Sequence, residues 1–563
     1  MRELTVDAAR AALMAPGAPY ELSEVVVAGR AVRCYLNAPP NMRAVFESMG
    51  QYADRDAIVY ESERLTFAEQ SAAVARLAAT LRAGFGVSKG DRVVLAMRNL
   101  PEFVIAFWAC QVLGAVAVPL NAWWTGGELS WALGDADPAL AVLDGERWRR
   151  LREAGYSAES LPVVVTRAVE AELAGAVPWF EIVPDYRYEG DLPECEIAPD
   201  DPATILYTSG TTGRPKGAVG TARNHCSLLM AAGFQSEVAR LTGTRPPRSG
   251  TQPALLNPFP FFHIGGLSSM YSAGAGGLKQ VLLYRWDTAT ALEICALERV
   301  TNLAVVPTML RRMLEVPGSE KYDLSAVAAI GIGGAPGSAD LAGPVAGRFG
   351  SRISVNHGYG LTETTSSACQ HNGRSFLERP DSVGPPTPGT TVRIVGEDGA
   401  DRPPGVAGEI WVHGPQVVAG YWNNPSETAA AFSEGWFRTG DIGALDEAGY
   451  LTVLDRAKDV IIRGGENVYS TEVEAVLQEH PAVEEAAVVG LPDRDLGEIV
   501  AAVVVPVAGA ALTADEVREH ARECLAAFKV PAVVIVRDTP LPRNATGKSL
   551  KRRLREELAD PNP

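Results

Sequence analysis

The chain has 563 residues, too many for a single hydrophobic core, so two or more domains are expected. Hydrophobic residues make up 47% and charged residues 21%, as in ordinary soluble enzymes, while a net charge of −17 repels phosphate backbones and argues against nucleic acid as a partner. The seven cysteines stand singly with no Cys-x-x-Cys, which excludes an obvious zinc site or disulfide framework and fits a reducing cytoplasm; no signal-peptide core opens the chain, and no apolar run reaches the ~18 residues of a transmembrane segment.

Residues 1–40 carry no readable pattern beyond a loop at Ala38-Pro39-Pro40. From Asn41, apolar residues at Met42, Val45, Phe46 and Met49 recur at helical spacing and lead into a short strand, 56–60. Thr66-Phe67-Ala68-Glu69 has the form of a capping box and predicts an Ala/Leu-rich helix to about Leu81. A strand at 92–97, an apolar helix at 101–113 and a strand at 115–119 follow, and the pattern continues through 128–134 to a strand at 140–143. Such βαβ alternation predicts a parallel sheet covered by helices. Residues 144–200 are irregular and read as a peripheral stretch.

A strand end at 203–206 then runs into Tyr207-Thr208-Ser209-Gly210-Thr211-Thr212-Gly213-Arg214-Pro215-Lys216-Gly217. Glycine lets backbone N–H groups approach an anion, hydroxyls add short donors, and Lys216 adds a mobile charge. That is the chemistry of a polyphosphate cradle. A plain surface loop has a similar composition, but this one sits between a strand and a predicted helix, 224–234, whose N-terminal dipole favours anions. Pro215 stands where a Walker A loop needs glycine, so the motif is a different one.

Beyond a polar loop, 240–252, a buried strand is expected at 255–262, ending in Phe262-His263-Ile264-Gly265-Gly266. Strands at 280–283, 302–305 and 328–332 alternate with helices at 288–299 and 307–314. The last strand ends in Gly333-Gly334-Ala335-Pro336. A helix at 338–349 and a strand at 352–355 lead to Asn356-His357-Gly358-Tyr359-Gly360-Leu361-Thr362-Glu363-Thr364, read as a second glycine-rich loop. Two such loops suit a ligand at the carboxyl edge of a sheet. From Gly384, short strands at 391–395, 408–413 and 451–454 predict a small antiparallel or barrel-like part, passing through Thr439-Gly440-Asp441. The charged break Asp455-Arg456-Ala457-Lys458-Asp459 sets the expected domain boundary, giving 1–455 and 456–563. A glycine turn, Gly464-Gly465, opens an α+β module with helices at 470–478 and 513–524 and strands at 483–490, 498–505 and 532–536.

These stations, in this order, resemble the acyl-adenylate-forming superfamily, which holds acyl-CoA synthetases, coumarate-CoA ligases, beetle luciferases and peptide-synthetase adenylation domains. The resemblance spans roughly residues 41–557. It implies an α/β fold: a large N-terminal AMP-binding domain with parallel-sheet subdomains and a small β-barrel-like one, then a small, mobile C-terminal lid. It also implies two half-reactions. A carboxylate attacks the α-phosphate of Mg-ATP to give acyl-AMP and pyrophosphate, and a thiol then displaces AMP. ATP, Mg²⁺ and coenzyme A are the implied cofactors.

Roles follow by position. Thr208, Ser209, Gly210, Thr211, Thr212, Gly213 and Lys216 would hold the β- and γ-phosphates. Gly334, Ala335 and Pro336 resemble the adenine-edge loop, and His357, Gly358 and Tyr359 the opposite wall, with Tyr359 stacked on the base. Thr362 would touch the α-phosphate and Glu363 would ligate Mg²⁺. Asp441 would accept from the ribose hydroxyls, with Arg456 beside them. Lys548 matches the catalytic lysine, whose charge offsets the repulsion between carboxylate and α-phosphate. His263 matches the position near the substrate carboxylate, and Gly464-Gly465 the loop that admits the thiol, although a plain turn explains those glycines equally.

Around 265–267, 331–336 and 358–366 the residues expected to line the acid pocket are mostly small and apolar, and the roomy slot they leave suits a fatty, aromatic or polycyclic acid. Leu267 stands where some fatty-acid enzymes carry a tryptophan gate. The leading expectation is an AMP-forming acid–CoA ligase of fatty acid or related metabolism. An acyl-AMP ligase serving a separate carrier protein and a non-catalytic nucleotide-binding scaffold remain as alternatives, with luciferase chemistry more remote.

Overall fold

The computed structural model describes residues 4–208, 214–244, 251–333, 341–350, 353–543 and 549–559. Ser209, Gly210, Thr211, Thr212 and Gly213 of the expected cradle, the triplet Gly334, Ala335 and Pro336, and Lys548 lie outside the described residues. The described residues within 1–334, 338–391 and 412–437 form one compact unit, and those within 392–411 and 438–563 a second.

Two largely parallel sheets make the first unit. The seven-stranded sheet runs in the order 216–221, 202–208, 116–119, 92–96, 140–144, 163–166, 177–178, antiparallel only where the first two strands pair. Its central strands are apolar on both faces, as strands covered on two sides must be: Val93, Val94, Leu95 and Ala96 are all fully buried. The helix Pro101–Leu113 is buried all round, with proline in its first turn. It shares a core with Leu77, Ala78 and Leu81 of the helix Phe67–Phe85. The capping box predicted at that helix is present, Thr66 and Glu69 satisfying each other's backbone N–H groups.

The eight-stranded sheet has the order 369–372, 354–359, 329–332, 302–305, 254–256, 279–281, 56–60, 63–66. Its six inner strands are parallel and both edge strands antiparallel. Two expectations are corrected here. The strand expected over 255–262 covers only Ala254–Leu256, because Pro258 and Pro260 cannot donate to a ladder. Asn99 supplies the missing partners: its Nδ2 donates to the Phe259 carbonyl at 2.8 Å and its Oδ1 accepts from the Phe261 N–H at 3.0 Å. The second correction concerns His357, Gly358 and Tyr359. They continue the strand Ser354–Tyr359, paired with Cys369–Asn372, instead of forming a loop. The unreadable N-terminus folds as a helix, Val6–Met14, and a hairpin of Leu22–Val27 with Arg30–Tyr35. The helix packs Ala9 and Leu13 on Phe234 and Val238 of the helix Ala222–Leu241.

Strands 391–395, 408–413, 436–445 and 451–456, with the short 432–433, form one five-stranded sheet, the predicted small subdomain, and most of its residues fall in the second unit. The same unit holds a sheet of order 466–468, 461–463, 497–506, 483–493, with 533–536 parallel to 497–506. Val488, Val500, Ala502 and Val504 of this sheet share a core with Val473, Leu477, Val517 and Ala521 of the helices Ser470–Gln478 and Ala514–Cys524. Compactness thus groups 392–411 and 438–455 with the C-terminal module. No helix among the described residues is long and apolar enough to cross a membrane.

Candidate active site

The described part of the expected phosphate loop is the mouth of a hairpin. Thr208 ends one strand and Lys216 begins the next, as Cα partners. The Thr208 Oγ1 donates to the Lys216 carbonyl at 3.4 Å. Gly217 follows because a Cβ there would stand 2.6 Å from the Ile205 side chain.

A distant segment completes this edge. Residues 417–422 run beside the strand 216–221: Ala419 N–H donates to Val219 O at 3.0 Å, Val219 N–H to Gly420 O at 2.9 Å, and Trp422 N–H to Gly217 O at 2.7 Å. This pairing brings Tyr421 over Lys216, whose Nζ lies 5.3 Å from the ring centroid and forms an ion pair with Glu427. The Tyr421 hydroxyl donates to Glu363 Oε1 at 2.8 Å. Lys216, Tyr421 and Glu363 therefore form one continuous assembly. Burial, then the Glu363 carboxylate, pushes the Tyr421 phenol well above its usual range, so it remains a donor.

Glu363 is only 8% exposed and sits in a single 3₁₀ turn, Thr362–Thr364. The Thr364 hydroxyl closes the turn, accepting from Leu361 N–H at 2.8 Å and donating to Ser366 O at 3.0 Å. The Val418 N–H donates to the Glu363 carbonyl at 3.0 Å. Gly360 lets Ser366 fold back: a Cβ would fall 1.3 Å from the Ser366 carbonyl oxygen. Next to this turn, the His357 ring packs on Phe376 and its Nδ1 lies 3.3 Å from Ser382 O. Burial lowers its pKa, which keeps it neutral. A Cβ on Gly358 would stand 2.8 Å from Cys369 O, so the edge strand can approach closely.

His263 caps the helix Ile264–Ala275, its Nδ1 accepting from Gly265 N–H at 3.2 Å. Burial pushes this imidazole down to about 4. Gly266 is required where the helix crosses the preceding loop, a Cβ lying 2.2 Å from Pro260 O. Leu267 is fully buried in the core with Met270 and Tyr271, a packing role that accounts for it without a gate.

Within the second unit, Asp441 and Arg456 are cross-strand partners, with Arg456 Nε 3.3 Å from Asp441 Oδ1. Gly464 and Gly465 link 461–463 to 466–468 as a two-residue hairpin turn, with φ of 61° and 88°. Positive φ at both positions is the reason for glycine there, and a Cβ on Gly465 would meet nothing within 4 Å. Near Lys548, the described residues include the bridge between Arg543 and Ser549 and the helix Lys551–Ala559.

Sequence reasoning missed Tyr421, Glu427 and Asn99. Asn424-Pro425, a cap followed by proline, was a readable helix start that would have placed Glu427 in a first turn. For Tyr421 no local signal exists, because its partners are 58 and 205 residues away along the chain.

Residues 45–422 match the AMP-binding enzyme family, and residues 472–548 match the AMP-binding enzyme C-terminal domain. The chain is 36% identical over 503 residues to a long-chain-fatty-acid–CoA ligase of Mycobacterium tuberculosis, covering 88% of this chain and 93% of that one. Among solved structures, the O-succinylbenzoate coenzyme A synthetase of Bacillus subtilis in complex with ATP and magnesium ion superposes with a TM-score of 0.74 at 32% identity, covering 91% of this chain and 98% of that one. An amide bond synthetase of Marinactinospora thermotolerans gives a TM-score of 0.80 at 28% identity, covering 92% and 100%. With both family domains matched in order and a relative 36% identical over most of both chains, the chain belongs to the AMP-binding enzymes, the adenylate-forming superfamily of acyl-CoA ligases.

Proposed function

We propose that this protein is an AMP-forming carboxylic acid–CoA ligase, acting on a fatty or other apolar acid in the cytoplasm. The Lys216–Tyr421–Glu363 assembly is the observation that carries this reading. It joins a phosphate-loop cation to a buried carboxylate through one phenol. A single protein carboxylate is what Mg²⁺ arriving with a triphosphate takes, phosphate oxygens and water filling the rest, so Glu363 fits that ion. Glu363 would hold Mg²⁺ there, and the ion would supply neutralisation of phosphate charge.

In the first half-reaction Thr208, Lys216 and residues 209–213 hold the β- and γ-phosphates. Glu427 keeps Lys216 aligned until the triphosphate replaces it. Thr362 donates to the α-phosphate. The neutral His263 accepts at Nδ1, so its proton is on Nε2, from which it can donate to the substrate carboxylate. Lys548 stands between carboxylate and α-phosphate, where its charge counts most as bonds form and break. Asp441 and Arg456 grip the ribose, and 334–336 with 357–359 enclose the adenine. In the second half-reaction residues 456–563 turn as a lid about 455–458, and Gly464-Gly465 line the path of the thiol. Because one similar structure is an amide bond synthetase, release is best tested with several acceptors. A panel of carboxylic acids with pyrophosphate release as readout, followed by CoA, a carrier protein or an amine, tests the proposal. CoA thioester with at least one apolar acid is expected. Pyrophosphate release without thioester would move the assignment to another acceptor, and no acid-dependent release would leave a scaffold.

A further inference from the structure

Arg98 follows the buried strand 92–96 and precedes Asn99, whose side chain holds the backbone of the loop leading to His263. Its guanidinium lies between two aromatic faces, 4.0 Å from the Trp123 centroid and 5.4 Å from that of Tyr284. Trp123 in turn makes an edge contact with Phe262 at 5.2 Å, next to His263. Both flanking rings reach the surface, Trp123 being 41% and Tyr284 37% exposed.

The charges around Arg98 do not balance. Behind it Arg147 is completely buried, and Arg150 stands beside it on the helix Gly145–Glu153. These three guanidiniums share two carboxylates, and the other two arginines hold both: Asp144 pairs with Arg147 at 2.7 Å, and Glu146 pairs with Arg147 at 3.1 Å and with Arg150. The Tyr284 hydroxyl also donates to Glu146, at 3.0 Å. Arg98 reaches Asp144 only through its backbone N–H, at 3.2 Å. Among the described residues no carboxylate pairs with its side chain, and its buried Nε and the Arg147 Nη2 have no hydrogen-bond partner. Burial, then the neighbouring Arg147, depresses its pKa, and the more distant influence of Glu146 and Asp144 does not restore it. In a chain of net charge −17, a half-buried site with one guanidinium in excess is built for something negative from outside.

We propose that Arg98, between Trp123 and Tyr284, is a binding residue for an oxyanion carried by one of the two substrates at a point remote from the reacting carbonyl. The inference rests on the ligase reading for the identity of those substrates. A guanidinium recognises carboxylate and phosphate alike, so the oxyanion belongs either to a second carboxylate on the acid or to a phosphate of the thiol donor.

Titration calorimetry on the full chain separates the two sources and needs no turnover. The probes are CoA, 3′-dephospho-CoA and pantetheine on one side, and azelate with nonanoate, in the presence of ATP analogue and Mg²⁺, on the other. Arg98→Ala is expected to weaken either CoA or azelate at least tenfold, leaving the partner probe without that oxyanion within twofold. Arg98→Gln, which keeps the stem between the rings, serves if the alanine variant is poorly folded and is expected to show the same selective loss. Equal affinities in wild type and variant, equal loss for all probes, or no binding of any probe to the wild type would overturn the proposal. Failure of the ligase reading is seen separately, as absence of acid-dependent pyrophosphate release in wild type that still binds these probes.

Discussion

Single residues in this protein act mainly through what they leave satisfied. Glu363 is a nearly buried carboxylate whose Oε1 is met by the Tyr421 hydroxyl at 2.8 Å. Tyr421→Phe removes that donor and keeps the ring over Lys216, so unfolding stability should fall by about 1–3 kcal/mol in urea titrations. An unchanged midpoint would mean that the phenol contributes nothing to holding the carboxylate. His225 gives a pH prediction. It lies buried between the Thr204 hydroxyl at 2.9 Å and the Tyr271 hydroxyl at 3.2 Å, and burial lowers its pKa to about 4. The folded pKa is below the unfolded one, so the stability from keeping it neutral is whole above about pH 6.5 and lost as pH falls towards 4. Between pH 7 and pH 5 the share of the loss from His225 should be about 2 kcal/mol, and His225→Gln should remove that share from the slope in denaturation curves at the two pH values, while the buried His371, also lowered to about 4, keeps its own share. His263, also lowered to about 4, adds a smaller component because solvent reaches part of it.

The elements show how far local pattern carries. Strands 56–60, 302–305, 391–395 and 408–413 and helices 101–113 and 470–478 fall where apolar period and caps put them. Such segments are decided by their own residues. The failures lie where tertiary partners decide. Proline ends the strand at Leu256, and the carbonyls and N–H groups beyond it are satisfied by Asn99, more than 150 residues earlier. The glycine-rich run at 356–359 reads locally as a loop, but it has an edge strand to pair with, Cys369–Asn372. The motif residues of the expected site stand out in the sequence, and their roles remain proposals; Tyr421 and Glu427 do not stand out, since strand pairing of 417–422 with 216–221 and an ion pair bring them to Lys216 from far along the sequence. The turn carrying Glu363 supplies the test at this scale. Gly360→Ala would place a Cβ 1.3 Å from Ser366 O, so the turn must open. Activity should drop at least a hundredfold, with a stability loss of about 1–3 kcal/mol. Near-normal turnover would show that the 3₁₀ turn does not position Glu363.

For the whole molecule the proposal is a division of labour between residues 1–455 and a C-terminal lid, 456–563. Lys548→Ala should abolish adenylation yet leave thioester formation from synthetic acyl-AMP within a few-fold. Gly465→Trp, whose Cβ would meet nothing within 4 Å although φ of 88° strains any side chain there, should reverse that pattern. Equal loss of both steps in either variant would contradict the division. The central claim, activation of an acid by transfer of AMP, is tested most directly by following oxygen. An accepted acid labelled in its carboxylate with heavy oxygen is incubated with ATP, Mg²⁺ and CoA, and the nucleotide product is analysed by mass spectrometry. One labelled oxygen in AMP for each thioester formed is the predicted result; unlabelled AMP, or label in inorganic phosphate beside ADP, would contradict it.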